Sequence, residues 1–455
     1  MRMMLLFALL LALPLAAMAQ QTRDRKIFPY QYAVDDLPNG LRLITVPTDY
    51  PNLVALYIVV STGSRNEVEP GRSGYAHFFE HLMFRGSKNF SADDRDAILK
   101  RAGASSNAST WDDRTIYHEV FAKEDLDKIM EMEADRFMNL QYTQEQYKTE
   151  AGAVLGEYNK NSSNPFRKIN ERLRETAFTK HTYSHTTMGY VKDIEDFPNQ
   201  YEYSLEFYRR YYRPEYTTII LVGDLTHQRA LDLTKKFFGA WERGNYRPDI
   251  PQEPEQTEPR TAHVDWPTPT LPHIAVAFKA PAFSTTSKDK VALDLLTPLA
   301  FGENSDLYQR LVLKEQKIDI LFGGADDQAD PELFTVYARV KDPKDVDYVR
   351  DEILKTFERH TRELIPQAKL DATRSRFRYG FAMAMNSSEA IANALTSYVA
   401  LTRDPESLNK VFSMAETVTP EDIRAAAKKY FDERRRTIVT LSTKTGTQTA
   451  GGDQR

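Results

Sequence analysis

The chain contains no cysteine. It can carry no disulfide, no thiolate ligand and no cysteine-linked lipid, so any metal site must be built from His and carboxylates, a donor set that suits zinc. An excess of either charge is also missing. Lys and Arg number 60 against 65 Asp and Glu, a formal net charge of −5 over 455 residues. The concentrated basic face of a nucleic-acid partner is therefore not encoded. Long apolar runs are absent beyond the N-terminal stretch. What remains is an ordinary globular composition, 41 % hydrophobic and 27 % charged, at a length that predicts about two to three domains.

The N-terminus stands apart. Arg2 supplies a positive start, Met3 to Leu13 is nearly all apolar, and Ala17-Met18-Ala19 is a small-x-small cleavage pattern. Residues 1–19 read as a secretory signal peptide cut before Gln20. The apolar run is shorter than the roughly 20 residues of a membrane-spanning helix, which disfavours an anchor. The expected location is periplasmic or secreted, soluble and without a membrane anchor after cleavage.

Leu41–Val46, Leu53–Val60, Thr115–Phe121 and Thr217–Val222 read as strands, and Gly74–Phe84, Lys123–Met138 and Gln144–Asn159 as helices. From 243 to 269 the chain is rich in proline and charge and reads as an extended linker. The polar tail 444–455 reads as disordered. The two sides of the linker look like copies. RRYYRPEYTTIILV (209–222) matches KKYFDERRRTIVTL (428–441) at a constant offset, pairing Tyr211 with Tyr430 and Ile219 with Ile438. Ala55–Val59 against Ala275–Lys279 keeps nearly the same offset. Any two helix-then-strand units look somewhat alike, but a shared offset at both ends favours a true repeat. The expected fold is α+β: two homologous domains, 28–242 and 270–443.

HFFEH at 77–81 places His77 and His81 one helical turn apart. On a helix that spacing puts both imidazoles on one face, within reach of one metal ion. Glu80 lies beside that face, where it can reach a water on the metal. Two core histidines satisfied by their neighbours are the plain alternative. A hydrolytic zinc site takes three protein ligands and keeps one open position. Glu157 stands well beyond His81 in a second helical stretch, and Glu150 precedes it by two turns on the same helix face. Solvated helix carboxylates are the usual fate of Glu. The small, apolar GAVLG between these two predicts that their helix packs closely against another element.

HFFEH at 77–81, followed at this distance by Glu157 with Glu150 before it, resembles the pitrilysin-like inverzincin peptidases. That family includes insulin-degrading enzyme, the mitochondrial processing peptidase and many bacterial exported members. AGASSNASTWDDRTIYHEVF (102–121) is similar to the family's Gly-x-x-x-Asn-Ala-x-Thr stretch, and HTYSHTTMGYVKDI (181–194) to its His-Pro-Tyr-Gly region, with substitutions. The likeness spans Gln31 to Ser442 and is most specific in the first half. It implies one zinc ion (Zn2+) per chain, with His77, His81 and Glu157 as ligands, Glu80 as general base and Glu150 orienting the site. It also implies that Asn107 and Ala108 lie on an edge strand that pairs with the substrate backbone. The implied activity is that of a zinc metalloendopeptidase acting on unfolded or short peptides in an enclosed chamber. The implied architecture is half of a clamshell, each domain an antiparallel-rich sheet flanked by helices, with the second domain closing over the substrate.

Aligned through Phe84 and Phe301, the second half puts Asp294, Thr297 and Pro298 opposite His77, Glu80 and His81, so no metal is expected there. The family carries an Arg and, two helical turns on, a Tyr in this half, which hold the substrate and stabilise its oxyanion. Here Val312 and Asp319 stand in those places, with Arg310 and Tyr308 nearby at the wrong spacing. The expectation is a heterodimer in which a homologous partner subunit lacking the zinc motif supplies the Arg/Tyr pair. A scaffold or assembly subunit that keeps the fold without catalysis is the alternative. It is disfavoured by the complete set of ligands and base.

Overall fold

The structure, a computed structural model, describes residues 26–444. The expected signal peptide and nearly all of the expected tail lie outside the described residues. No helix among those described is long and apolar enough to cross a membrane.

Two sheets organise the chain. The first contains β1 (Ala33–Asp36), β2 (Arg42–Pro47), β3 (Leu53–Val60), β4 (Ser105–Thr110), β5 (Thr115–Ala122) and β6 (Thr217–Gly223), in the order β1-β2-β6-β3-β5-β4. The second contains β7 (Arg260–Trp266), β8 (His273–Lys279), β9 (Ile318–Gly324), β10 (Leu333–Val340) and β11 (Arg436–Thr443), in the order β7-β11-β8-β10-β9. Without β1 the two orders are the same strand for strand. Each sheet has one parallel pair, β2 with β6 and β7 with β11, among antiparallel neighbours. The expected α+β fold with two homologous halves is therefore present.

One boundary differs from expectation. Strand β7 lies inside the stretch 243–269 that reads as a linker. It is a sheet-edge strand whose residues alternate between half-buried and exposed until Trp266. That leaves it too few apolar positions to stand out beside its flanking prolines.

The inner strands are apolar on both faces, so each sheet needs cover twice. The helices that cover the sheets include α1 (Tyr75–Leu82), α2 (Gln144–Ser162), α3 (Pro165–Ala177), α4 (Asp289–Ala300), α5 (Gln367–Ala384) and α6 (Ser388–Thr402). One face of the first sheet meets α1 and α2. Its other face, with Ile44, Tyr57, Val59 and Ile220, is covered by α6 from the second half through Ile391, Leu395 and Val399. The converse holds for the second sheet. Ala275, Ala277, Tyr337 and Val439 are covered by α3 from the first half, through Ile169 and Leu173. Each such buried aliphatic side chain contributes about 1.5–3 kcal/mol, so each half completes the other's core.

A buried polar seam runs between the halves. Asp112 accepts from Arg174 Nη2 at 2.9 Å and from Gln328 Nε2 at 2.8 Å. Asp113 accepts from the Ala329 amide at 3.0 Å and from the Tyr183 hydroxyl at 2.9 Å. Asp330 accepts from Arg65 Nε at 2.6 Å and faces His181 Nε2 at 3.0 Å. With the exchanged helices, this seam ties the halves into one body.

Candidate active site

Helix α1 divides its faces cleanly. Tyr75, Phe78, Phe79 and Leu82 are fully buried, with Phe78 stacked on Phe197 at 4.6 Å and Tyr75 edge-on to Tyr203 at 4.6 Å. That leaves His77, Glu80 and His81 on the opposite side. Its start is tightly fixed. Gly74 has φ of 84°, and a Cβ there would meet the Met188 carbonyl oxygen at 2.4 Å, so only glycine fits. Glu67 caps the end, accepting from the amides of Gly74 and Ala76, both at 2.6 Å.

Helix α2 starts at a capping box, with Thr143 accepting from the Gln146 amide. Tyr147, Glu150, Ala151, Val154 and Tyr158 line its buried face. Glu157 follows Glu150 by about two turns and therefore projects along the same side. The close packing expected of GAVLG is only partly found. Ala151 and Val154 are buried, but Cβ atoms added at Gly152 or Gly156 would meet open space, because both glycines face outward.

These helices bring three ligand atoms together. His77, His81 and Glu157 each offer an atom, all within 4.8 Å of one another. Glu157 Oε2 lies 3.6 Å from His77 Nε2 and 3.5 Å from His81 Nε2. Tetrahedral zinc with bonds of about 2.0–2.2 Å sets neighbouring ligand atoms about 3.3–3.6 Å apart, so the two separations from Glu157 fit that ion. The donors also suit it, two imidazoles and a carboxylate. On the far side of His81, Nδ1 faces Glu150 Oε2 at 3.2 Å. A carboxylate there favours the Nδ1–H tautomer and leaves Nε2 with its lone pair towards the ligand cluster. Glu150 is buried and also contacts Arg85.

Burial, followed by the neighbouring His81 charge, pushes His77 down to about 4, so it stays a neutral donor through physiological pH. Burial raises the Glu80 carboxyl above its ordinary value, and the Thr110 hydroxyl and His81 pull against that shift. A carboxyl raised towards neutrality is better matched to accepting and returning a proton.

The structure thus gathers His77, Glu80, His81, Glu150 and Glu157. Asn107 and Ala108 sit on β4, which among the described residues pairs only with β5 and has no strand on its other edge. The Asn107 side chain turns back to accept from the Ala108 amide at 2.9 Å rather than joining the cluster. Three neighbours were given no role in the sequence reading, although Thr110 closes its Asn-Ala-x-Thr stretch. Thr110 donates to Glu80, Arg85 contacts Glu150, and Asn161 Nδ2 approaches Glu157 Oε1 at 3.4 Å. Asn161 lies one helical turn after Glu157, a spacing that could have pointed to it. A cavity of about 270 Å³ opens alongside, bounded by Thr110, Trp111, Asn161, Arg174 and Met188. It adjoins a second of about 440 Å³ between α3 and the second sheet, with Phe166 and Arg174 lining both.

In the second half, Asp294, Thr297 and Pro298 all lie on α4, the proline inside its last turn. Val312 packs on the second core, and Asp319 accepts from Arg339 at 2.7 and 2.9 Å. Arg310 pairs with Glu352 and donates to the Tyr348 hydroxyl.

Comparison with known proteins gives two family matches. Residues 42–190 match the family model described as insulinase (peptidase family M16), and residues 200–377 the one described as peptidase M16 inactive domain. A zinc protease PqqE from Helicobacter pylori is 30 % identical over 89 % of this chain and 91 % of its own length. The chain belongs to the peptidase M16, or insulinase, family. This is the family that the HFFEH constellation resembled. A crystal structure of a protease from Helicobacter pylori, 30 % identical, superposes with a TM-score of 0.85 over 91 % of this chain and 99 % of that one. A probable mitochondrial-processing peptidase subunit beta from Schizosaccharomyces pombe is 28 % identical over 45 % of this chain and 44 % of its own. Relatives named as zinc proteases support zinc as the metal of this M16 fold, and the description of the second matched region suits a half without ligands.

Proposed function

We propose that this protein is a zinc-dependent endopeptidase that hydrolyses unfolded or short peptides, one zinc ion per chain, held by His77, His81 and Glu157. The observation that carries this reading is the trio of ligand atoms at zinc spacing with an unligated carboxylate, Glu80, on the same helix face. Zinc in such a site acidifies water and polarises a peptide carbonyl. Glu80 takes the proton from the attacking water and passes it to the leaving amine. Glu150 fixes the His81 ring. The free edge of β4, with Asn107 and Ala108, offers an extended peptide its backbone hydrogen bonds. The adjoining cavities suit an unfolded segment better than a folded protein.

The partner reading belongs to the same proposal. Val312 and Asp319 are both engaged within the second half, so the substrate clamp and oxyanion donor come from a homologous subunit carrying an Arg and a Tyr. The absence of one oxyanion donor typically costs on the order of a hundred- to thousand-fold in rate. The N-terminal pattern supports export, to the periplasm or beyond. The test is metal analysis with a peptide-cleavage assay, wild type against Glu80→Gln, each with and without a co-expressed homologue. Glu80→Gln should hold zinc and lose turnover. Cleavage that survives the substitution removes Glu80 as base, and a wild-type chain that takes up no zinc removes the whole reading.

A further inference from the structure

A general base is useful only when its carboxylate is aimed. Glu80 sits on the less buried side of a short helix, and its side chain has rotamer freedom to lose. The Thr110 hydroxyl donates to Glu80 Oε2 at 2.5 Å, and among the described residues no other side chain donates to this carboxylate. A carboxylate only accepts, so the single hydroxyl proton of Thr110 is committed to it. One oxygen is held, and among the described residues the other has no protein donor.

Thr110 is itself held in an unusual way. It ends β4, opposite Thr115 across the turn Trp111–Arg114. That turn is anchored from two sides. The amides of Ser64 and Arg65 donate to the carbonyls of Trp111 and Asp112 at 3.4 and 2.8 Å. A Cβ on Gly63 would meet the Trp111 carbonyl oxygen at 2.0 Å, so this approach needs glycine. The second side is the other half of the molecule. Gln328 donates to Asp112, the Ala329 amide donates to Asp113, and Arg174 bridges Asp112 to Glu332 at 3.3 Å. Asp112 and Asp113 are both buried. Buried charged groups with several partners of fixed geometry hold position far better than a surface turn does.

We propose that Thr110 is the positioning residue for Glu80, and that the second half, through its grip on Asp112 and Asp113, sets where Thr110 stands. The half without metal ligands thereby serves the reaction from within the same chain, by way of this turn. The kinetic part of this inference rests on the peptidase reading. The geometric part does not.

Thr110→Val removes the hydroxyl and keeps the β-branched shape, and Thr110→Ser restores the hydroxyl. Crystal structures of the full-length variants should show the Glu80 carboxylate displaced by about 1 Å or more in the Val variant and in place in the Ser variant. In peptide cleavage, Thr110→Val should lower kcat roughly ten- to hundred-fold, a part of what a positioned base contributes, with KM, zinc content and thermal midpoint near wild type. Thr110→Ser should recover most of the loss. Gln328→Leu cuts one anchor from the second half and should lower kcat by about three- to ten-fold without raising KM. A Val variant with Glu80 in its wild-type place, or with wild-type kcat, overturns the positioning role. An unchanged kcat in Gln328→Leu overturns the anchoring. If the wild type cleaves no peptide while Glu80 still moves in the Val variant, the peptidase reading fails and the positioning stands.

Discussion

The two halves of this chain share a sheet, strand for strand, and differ in what their matching helices present. In the first half α1 offers two imidazoles and a carboxylate that are not consumed by neighbouring cations, and α2 brings Glu157 to meet them. In the second, α4 offers Asp294, but Lys290 Nζ already holds it at 2.7 Å and reaches Asp327 at 3.0 Å. Pro298 occupies the second histidine's place. The counterpart of α2 is α5, and counting from the two helix starts puts Gly380 where Glu157 stands. The comparison teaches that a repeated fold positions a site without specifying it. A cluster becomes a metal site only where its donors are left unpaired by the surrounding charges.

The largest effect expected from this comparison concerns the exchanged helices. Residues 26–242 alone lack α6, so the apolar face with Ile44, Tyr57 and Ile220 is uncovered. That fragment should fail to unfold cooperatively in urea and should bind a hydrophobic dye, whereas co-expression with residues 243–444 should reverse both. A cooperative transition in the isolated fragment would break the claim that the halves depend on each other.

Single truncations sharpen the same point. Leu395→Ala on α6 and Leu173→Ala on α3 should each cost about 2–5 kcal/mol by urea denaturation, since each empties a core of the opposite half. A large cost for only one of them would make the exchange one-sided. At the metal, Glu150→Gln should weaken zinc binding by about ten- to hundred-fold in competition with a chelator, because the acceptor at His81 Nδ1 loses the charge that fixes the tautomer and raises the basicity of Nε2.

Smaller again is a pH effect at the seam. Burial pushes the Asp330 carboxyl up, but hydrogen bonds from His181 and Arg65 outweigh it and hold it at about 2. A carboxyl lowered on folding adds stability above its unfolded value near 3.9, and that stability is lost as pH falls towards 2. Asp330→Asn should therefore be less stable than wild type at pH 7, and the difference should shrink between about pH 4 and pH 2 in denaturation midpoints. The smallest expectation is a null. Asp294→His with Pro298→His should leave zinc stoichiometry at one per chain, because Gly380 supplies no third ligand. A second bound zinc would show that the helix face alone decides.

Much of this was legible in the residues because the signals are local. The face shared by His77, Glu80 and His81 follows from helical periodicity alone. The apolar runs of β3 and β6 needed nothing but length and branching. Strand β7 was missed although the repeat itself marked it. Its start at Arg260 stands to that of β2 at Arg42 almost as Arg436 of β11 stands to Thr217 of β6, and His273 of β8 to Leu53 of β3. Carrying the offset forward from β2 would have found a strand whose own composition hides it. GAVLG misled in the opposite direction, since small residues permit close packing but do not supply a neighbour.

The sequence by itself determined which donors exist and how they are spaced along each helix, because helical geometry fixes the angle between residues one or two turns apart. Only the tertiary structure decided that Glu157 meets the histidines from a helix far along the chain, that Thr110 holds Glu80, and that each half covers the other's sheet. Those contacts depend on how apolar faces pack over long chain separations, and no local periodicity encodes which face meets which.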